Sequence, residues 1–403
     1  MSKIVVLSTI YLNIPSANGI CARNLVSALR EQGHEVYVVC YEKDTLKDEE
    51  DHRYIHTILE PNIKEQNSFI HKLMRTVSVA MGSIKPLIKE SLTNAYYNAL
   101  CDIDSAHSID AVVGMYFPLE SVEAICRFVK QKPEVKSIIY EVDSVGDGVA
   151  KSKLFSIYDR VYTKWLIQAY KEVTGIIVMN SHNDYWIKHF GNKFSKKMRL
   201  ADIPVLIDSN KSTANDNSCV RMIYSGLIEK RYRSPIYLLS VLKVLSKIRR
   251  FEFCFFSKGD CEDQISKASE EIPGIKQFGY VAPLKLEQEM MTADILVNIG
   301  NTFSRSVPSK LISYMGYGKP IIHISAQNDD VCSEYLENYP LSLSLKQSDP
   351  ISISVDKIEQ FIIQTRGKQV RYRDLNKSYE ANKPEYSARL ISDIICSGKI
   401  ETL

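Results

Sequence analysis

The sequence predicts a two-domain α/β protein, built as two doubly wound parallel sheets facing one another across a cleft, and three observations carry that reading. Short β-branched runs alternate with longer amphipathic stretches along the chain, the pattern of strand-helix-strand units. At 403 residues the chain is too long for one ordinary core, given roughly 100–200 residues per domain. A polar break from Asp208 to Ser218 (DSNKSTANDNS) separates two runs of the same pattern.

In the first half the strands read as Ile4–Leu7, Glu35–Cys40, Ala111–Met115, Ser137–Tyr140 and Gly175–Met179, with helices between them. The first helix is expected to begin near Asn18-Gly19 and to end at Gly33, where glycine accepts the left-handed conformation of a helix C-terminus. A fresh strand, Val220–Tyr224, follows the polar break, and further strands read as Glu252–Phe256, Ile275–Phe278, Ile295–Ile299 and Pro320–Ile324. The expected division is a first domain at residues 1–207, a linker at 208–218 and a second domain at 219–383. Residues 384–403, helical in pattern from Pro384 to Cys396, return to brace the first domain.

Composition narrows the function classes. With 45% hydrophobic and 25% charged residues the chain has enough apolar side chains to fold, and long disorder is not expected. Fifty-one basic and 48 acidic residues leave a net charge of +3, which gives no general reason to bind nucleic acid. The nine cysteines (Cys21, Cys40, Cys101, Cys126, Cys219, Cys254, Cys261, Cys332, Cys396) stand singly, without a CxxC pair or zinc-type spacing. That usage suits a reducing cytosol, so the expected location is cytoplasmic. Met1-Ser2-Lys3 leads straight into the short apolar run Ile4–Leu7 without the longer core of a signal peptide, and no run of 18 apolar residues occurs.

Three segments carry chemistry. The loop Ser8 to Gly19 (STIYLNIPSANG) has one glycine where a dinucleotide fingerprint needs three, so NAD and FAD are disfavoured and the loop reads as a substrate-facing lip. Asn18-Gly19 either presents backbone N–H groups to an anion or forms a turn and N-cap. In the second half, Gly226 is followed by Lys230, Arg231 and Arg233, three cations where a strand end meets a helix start. Such a place favours phosphate by charge and by the helix dipole, although a solvated basic turn has the same composition. The third segment, Ala293 to Ile322 (ADILVNIGNTFSRSVPSKLISYMGYGKPII), reads as strand, polar loop, short helix and strand. Pro308 suits a first helical turn, Ser309 can satisfy an exposed N–H, and Lys310 projects from the same turn, so backbone donors and one cation converge. Gly316 and Gly318 end that helix.

The stretch from Pro308 to Ile322 (PSKLISYMGYGKPII) resembles the nucleotide-sugar motif of GT-B glycosyltransferases of the family 4 type, often PSKLFEYMAxGKPII. Ala293 to Asn298 looks like the strand before that motif, and Tyr224-Ser225-Gly226 with Arg233-Ser234-Pro235 resembles the loop opening the donor domain. Asn18-Gly19, Ala28-Leu29 and Gly33-His34-Glu35-Val36 are similar to the opening of the acceptor domain. The likeness spans nearly the whole chain and implies two Rossmann-like domains in the GT-B arrangement. It also implies retaining transfer of a sugar from a nucleoside diphosphate sugar to a glycan or lipid-linked acceptor, in surface polysaccharide or glycoconjugate synthesis. No cofactor and no metal are implied, because positive groups and a helix N-terminus stabilise the leaving diphosphate.

On this resemblance the donor and phosphate residues are Gly226, Lys230, Arg231, Arg233, Arg305, Ser309, Lys310 and Ser313, and the acceptor side carries Asn18, Gly19 and Tyr116. Asp143, in Glu141-Val142-Asp143-Ser144, matches the aspartate of a His-Asp pair and is the catalytic candidate, with helix capping as its other role; Val142 stands at the histidine. The family's two glutamates are replaced by Ser313 and Arg305, and the arginine that often follows the loop glycine is Leu227. Those departures keep open a non-catalytic GT-B protein that binds a partner enzyme or a glycan; a GT-B epimerase is a third reading. The stretches Phe69–Leu100 and Lys151–Glu172 mix basic and aromatic residues, among them His71, Lys72, Arg75, Lys151, Lys153, Tyr162, Lys164 and Trp165. They read as peripheral contacts to the inner membrane face or as solvated helices with an aromatic core face.

Overall fold

The computed structural model describes residues 1–11, 16–42, 52–59, 86–115, 118–142, 153–180, 183–209, 219–302, 307–327 and 330–397. Two compact units divide the chain, one formed by Met1–Val205 with Ala381–Leu403 and the other by Leu206–Glu380. Each is a parallel sheet flanked by helices.

The first unit holds strands β1 (Lys3–Leu7), β2 (Glu35–Glu42), β3 (Ile55–Leu59), β4 (Ala111–Met115), β5 (Lys136–Glu141), β6 (Gly175–Met179) and β7 (Met198–Ala201). They form one sheet in the order β3-β2-β1-β4-β5-β6-β7, every neighbouring pair parallel. Its helices are α1 (Ala17–Glu31), α2 (Glu90–His107), α3 (Leu119–Gln131), α4 (Lys153–Glu172) and α5 (Asn183–Phe190). Strands covered on both faces must be apolar throughout, and every residue of β4 and of β6 is buried.

The second unit holds β8 (Val220–Leu227), β9 (Phe251–Lys258), β10 (Ile275–Gln277), β11 (Ile295–Ile299), β12 (Ile321–Ser325) and β13 (Ser342–Lys346). These are also all parallel, in the order β10-β9-β8-β11-β12-β13. Around them lie α6 (Ile236–Leu245), α7 (Glu262–Glu271), α8 (Pro283–Met291), α9 (Ser309–Gly316), α10 (Val331–Leu336), α11 (Ile351–Thr365) and α12 (Asn376–Tyr379).

The last helix, α13 (Pro384–Cys396), packs on α1 in the first unit. Ser392 Oγ donates to Gln32 Oε1 at 2.8 Å and lies 2.9 Å from His34 Nε2, while Ser387 Oγ meets the buried Tyr140 hydroxyl at 2.9 Å. A Cβ on Gly175 would stand 2.9 Å from Ile394, so helix and strand touch closely there.

Local expectations are refined at several points. The cap of α1 is Ser16, whose side chain accepts the Gly19 N–H at 3.0 Å, so Asn18 and Gly19 lie inside the first turn. Residues 208 and 209, expected in a linker, belong to the second unit. The Ser209 N–H donates to the Gly316 carbonyl at 3.0 Å, supplying a donor that the end of α9 lacks. Of the stretch Phe69–Leu100, residues 86–89 are not helical and α2 starts only at Glu90, while the part from 69 to 85 lies outside the described residues. In α4, Tyr162 is buried and Trp165 packs against the core and donates to Glu123 at 3.3 Å, so these aromatic rings face inward. No helix of the described residues is long and apolar enough to cross a membrane.

Candidate functional site

The strand order of the second sheet reverses between β8 and β11, with β9 and β10 beyond β8 and β12 and β13 beyond β11. At such a reversal the connections leave the two central strands in opposite directions, and a crevice opens beyond the strands' carboxyl ends. The loop at 228–235 leaves β8 there, and Gly300-Asn301-Thr302 leaves β11.

Lys310, in the first turn of α9, lays its ammonium on the backbone of Gly226 at the end of β8. A Cβ at Gly226 would stand 1.6 Å from Lys310 Nζ, and the φ of 132° there is one that side chains rarely adopt. The ammonium also lies 6.0 Å from the centre of the Tyr224 ring, within reach of a cation–π attraction. Four residues on, the buried Tyr314 hydroxyl accepts the Ser225 N–H at 3.0 Å and ties the same helix to the same strand end. Among the described residues no carboxylate pairs with Lys310. Burial of its ammonium, and then the nearby Arg233 guanidinium, lower its pKa to about 7.

Arg233 reaches this point from the loop after β8. Its Nε donates to Asn301 Oδ1 at 2.6 Å and its guanidinium is hydrogen-bonded with Tyr224, again with no carboxylate partner among the described residues. The N-cap of α9 is Pro308, which offers no side-chain cap, so Ser309 does not fill that role. The Leu311 N–H returns to the Pro308 carbonyl at 2.9 Å, and the Ser309 and Lys310 N–H groups have no acceptor among the described residues. Among the described residues, two cations without a carboxylate partner, two amides without an acceptor and the positive end of a helix dipole thus share one place. That arrangement is suited to an anion with several oxygens, such as a phosphate.

The other expected residues are placed as follows. Ser313 is half-buried on α9, and its Oγ donates back to the Ser309 carbonyl at 3.1 Å. Lys230 and Arg231 are exposed; the Lys230 N–H donates to Asp260 Oδ1 at 2.7 Å, and the Arg231 guanidinium lies 5.5 Å from the centre of the Tyr232 ring. In the first unit Asn18 is half-buried and Gly19 buried in the first turn of α1. Arg305, Asp143 and Tyr116 lie outside the described residues.

Several polar groups were not singled out from sequence. Asn301 lies in a stretch that reads from sequence only as a polar loop, and no motif marks Gln327. Glu141, the last residue of β5, is 6% exposed and accepts a 2.7 Å hydrogen bond from Trp186 Nε1, and burial raises its pKa to about 8. The signal for it is a charged residue directly after the apolar run Ile138-Ile139-Tyr140. His323, Asp330 and Cys332 bring a ring nitrogen, a carboxylate oxygen and a thiol within 4.8 Å of one another, all buried. Their hydrogen bonds are already satisfied internally. His323 Nε2 is bonded to Asp330 and Nδ1 lies 2.8 Å from Asn298 Nδ2, while Asp330 also accepts from Ser333 and from the Cys332 N–H. Burial raises the Cys332 thiol, so a thiolate ligand is disfavoured, and the cluster reads as a hydrogen-bonded brace rather than a metal centre.

No family model matches the chain, and no curated protein matches it in sequence. Solved structures do match in fold. Sucrose-phosphate synthase from Thermosynechococcus elongatus superposes with a TM-score of 0.60 at 12% identity, over 100% of this chain and 98% of that one. WaaG, a glycosyltransferase involved in lipopolysaccharide biosynthesis, gives 0.57 at 12% identity, over 97% and 99%. The UDP-GlcNAc 2-epimerase from Neisseria meningitidis bound to UDP-GlcNAc gives 0.58 at 12% identity, over 98% and 100%. The chain therefore has the GT-B fold, with two parallel-sheet α/β domains.

Proposed function

We propose that this protein is a glycosyltransferase that takes a nucleoside diphosphate sugar as donor and delivers the sugar to a glycan or lipid-linked acceptor. The observation that carries this reading is the pair Lys310 and Arg233, which have no carboxylate partner among the described residues and stand at the start of α9 and at the switch point of the second sheet. WaaG is a glycosyltransferase by name and the UDP-GlcNAc 2-epimerase was solved with UDP-GlcNAc bound, which supports the same substrate class.

When the glycosidic bond to the donor breaks, negative charge grows on the departing diphosphate. Donors already fixed around that charge stabilise the transition state more than the ground state. Lys310 and Arg233 supply fixed positive charge and the amides of α9 supply hydrogen bonds. The residues present thus take the part that a divalent ion plays elsewhere, and the transfer is proposed to be metal-independent and, by the resemblance to family 4, retaining. Ser313 retains acceptor capacity for a ribose hydroxyl, but as a neutral group it binds more weakly than a carboxylate. On the acceptor side, Asp143 is the proposed catalytic group and Asn18, Gly19 and Tyr116 the proposed contacts. A cytoplasmic site of action, at the inner face of a membrane where the acceptor is lipid-linked, goes with this reading.

The test is release of free nucleoside diphosphate from a panel of UDP-, GDP- and ADP-sugars with candidate acceptors, in the wild type and in Lys310→Ala with Arg233→Ala. Release that depends on acceptor and disappears in the double variant is expected. Binding without release would favour the non-catalytic reading that Ser313 raises, and conversion of the donor sugar itself would favour an epimerase.

Gly226→Ala gives an expected outcome at the same place. The added Cβ claims the position of the Lys310 ammonium, whose flexible end must move away, and the φ at this position adds backbone strain. Loss of one charge-assisted contact of about 1.5–3 kcal/mol weakens diphosphate affinity roughly 10- to 100-fold, measured by titration calorimetry. Unchanged affinity would show that the ligand does not use the Lys310 seat.

A further inference from the structure

We propose that Asn301, held by Gln327, is the positioning residue that fixes Arg233 beside Lys310 so that the two cations act together on the diphosphate, an inference that rests on the donor-binding reading above.

The geometry is a strap across the ends of three strands. Asn301 follows β11, its side-chain Oδ1 accepts Arg233 Nε at 2.6 Å, and its backbone carbonyl accepts Gln327 Nε2 at 2.6 Å. Gln327 is itself fixed by Ser325 at the end of β12: Ser325 Oγ donates to the Gln327 carbonyl at 2.6 Å and accepts the Gln327 N–H at 3.2 Å. Beside it the Thr302 N–H donates to the Tyr232 carbonyl at 2.9 Å, and Thr302 Oγ1 donates to the Arg231 carbonyl at 2.6 Å. Gly300 closes the strap by donating to the Ile324 carbonyl at 2.9 Å. The loop that carries Arg233 is thereby pinned to the loop after β11, which is pinned to the turn after β12.

The chemistry of the side chain at 301 matters. A free arginine has many rotamers, and holding one of them before the ligand arrives removes an ordering cost from binding. An amide oxygen orients Nε by its dipole while leaving the guanidinium charge uncompensated. A carboxylate at the same place would pair with the guanidinium and compete with phosphate for it. Asparagine therefore serves a cation that must stay available, and glutamine at 327 fixes the asparagine through its backbone without adding charge.

The experiment uses the full chain and Asn301→Ala, Asn301→Asp and Gln327→Ala. Affinity is read by calorimetry with inorganic pyrophosphate and with UDP, GDP and ADP. The titration midpoint of Lys310 is read by NMR of isotope-labelled lysine, its resonance assigned by loss in Lys310→Met. Asn301→Ala is expected to weaken pyrophosphate binding roughly tenfold, by release of Arg233. It is also expected to raise the Lys310 midpoint in part, because burial keeps lowering it while the Arg233 charge that adds to the depression moves away. Asn301→Asp, nearly isosteric, is expected to weaken binding further and raise the midpoint more, and Gln327→Ala to act in the same direction less strongly. A side chain that merely holds the fold would lower the unfolding temperature and leave the Lys310 midpoint in place. An unchanged midpoint and unchanged affinity in folded Asn301→Ala and Asn301→Asp overturn the proposal. Failure of the wild type to bind any of these ligands overturns the donor-binding reading instead, and the ligand-free Lys310 midpoint still decides the role of Asn301.

Discussion

Lys310→Met is expected to raise the thermal unfolding midpoint while weakening diphosphate binding roughly 10- to 100-fold. Lys310 is half-buried, with its ammonium covered against Gly226 beside Arg233, and burial and then the Arg233 charge lower its pKa from the usual lysine value to about 7. A group depressed in the folded state contributes full stability only above its unfolded value, near 10.4 for lysine, and that stability is lost as pH falls through the folded value. At pH 7 and below, the folded chain therefore holds a strained charge. Discounted for the part of the side chain that meets solvent, its cost is on the order of 2 kcal/mol. Methionine has nearly the same shape without the charge, so the midpoint is expected to rise by a few degrees at pH 6–7, since each kcal/mol is worth about 2–4 °C in a domain of this size. The gain is expected to fade as pH approaches the unfolded lysine value. A residue that only held the fold would give the opposite sign, a drop in midpoint. A group kept at a cost in stability is the signature of a site, and here the ligand supplies the missing counter-charge.

Glu141→Gln is the second large effect, and it depends on pH. Burial raises the Glu141 carboxyl to about 8, and among the described residues its partner is the Trp186 indole, with no cation facing it. For a raised carboxyl, stability is full below the unfolded pKa, near 4.3, and is lost as pH rises through the folded value near 8. The penalty at pH 7–8 is on the order of 4 kcal/mol. Glutamine keeps an oxygen for Trp186 Nε1 and carries no charge. Thermal unfolding is expected to show a higher midpoint for Glu141→Gln at pH 8 and little difference at pH 5. A constant difference across that range would mean that the carboxyl does not titrate in the folded chain.

Much of this architecture was legible because parallel strands buried on both faces are written as short apolar runs. Ala111–Met115, Gly175–Met179 and Ile295–Ile299 were read with the boundaries that the structure shows. The strands not read were Ile55–Leu59, Met198–Ala201 and Ser342–Lys346, and each is the outermost strand of its sheet or next to none beyond it. An edge strand buries one side only, so polar residues interrupt the run, as in Ser342-Leu343-Ser344-Leu345-Lys346. At the site, the convergence at Lys310 was legible because a proline, a short helix and glycines mark a tight strand-to-helix turn. That Arg233 stands beside Lys310 follows only from the fold, which brings residues 233 and 301 together across the reversal of strand order. Nothing in local sequence signals a contact between two loops 68 positions apart. The cap of the first helix was misplaced for a simpler reason, because Ser16 and Asn18 are both good cap residues and only the hydrogen bond from Gly19 distinguishes them.

The proposed role of the Gly226, Lys310 and Arg233 cluster at the start of α9 is to hold the diphosphate of a nucleotide sugar. Calorimetric titration of the wild type at pH 6.5 with uridine, UMP and UDP, and with the guanosine and adenosine series, tests it most directly. In one series, affinity is expected to climb with each phosphate, and the climb is expected to flatten in Lys310→Ala and in Arg233→Ala. Equal affinity for nucleoside and nucleoside diphosphate, or no binding in any series, would contradict it.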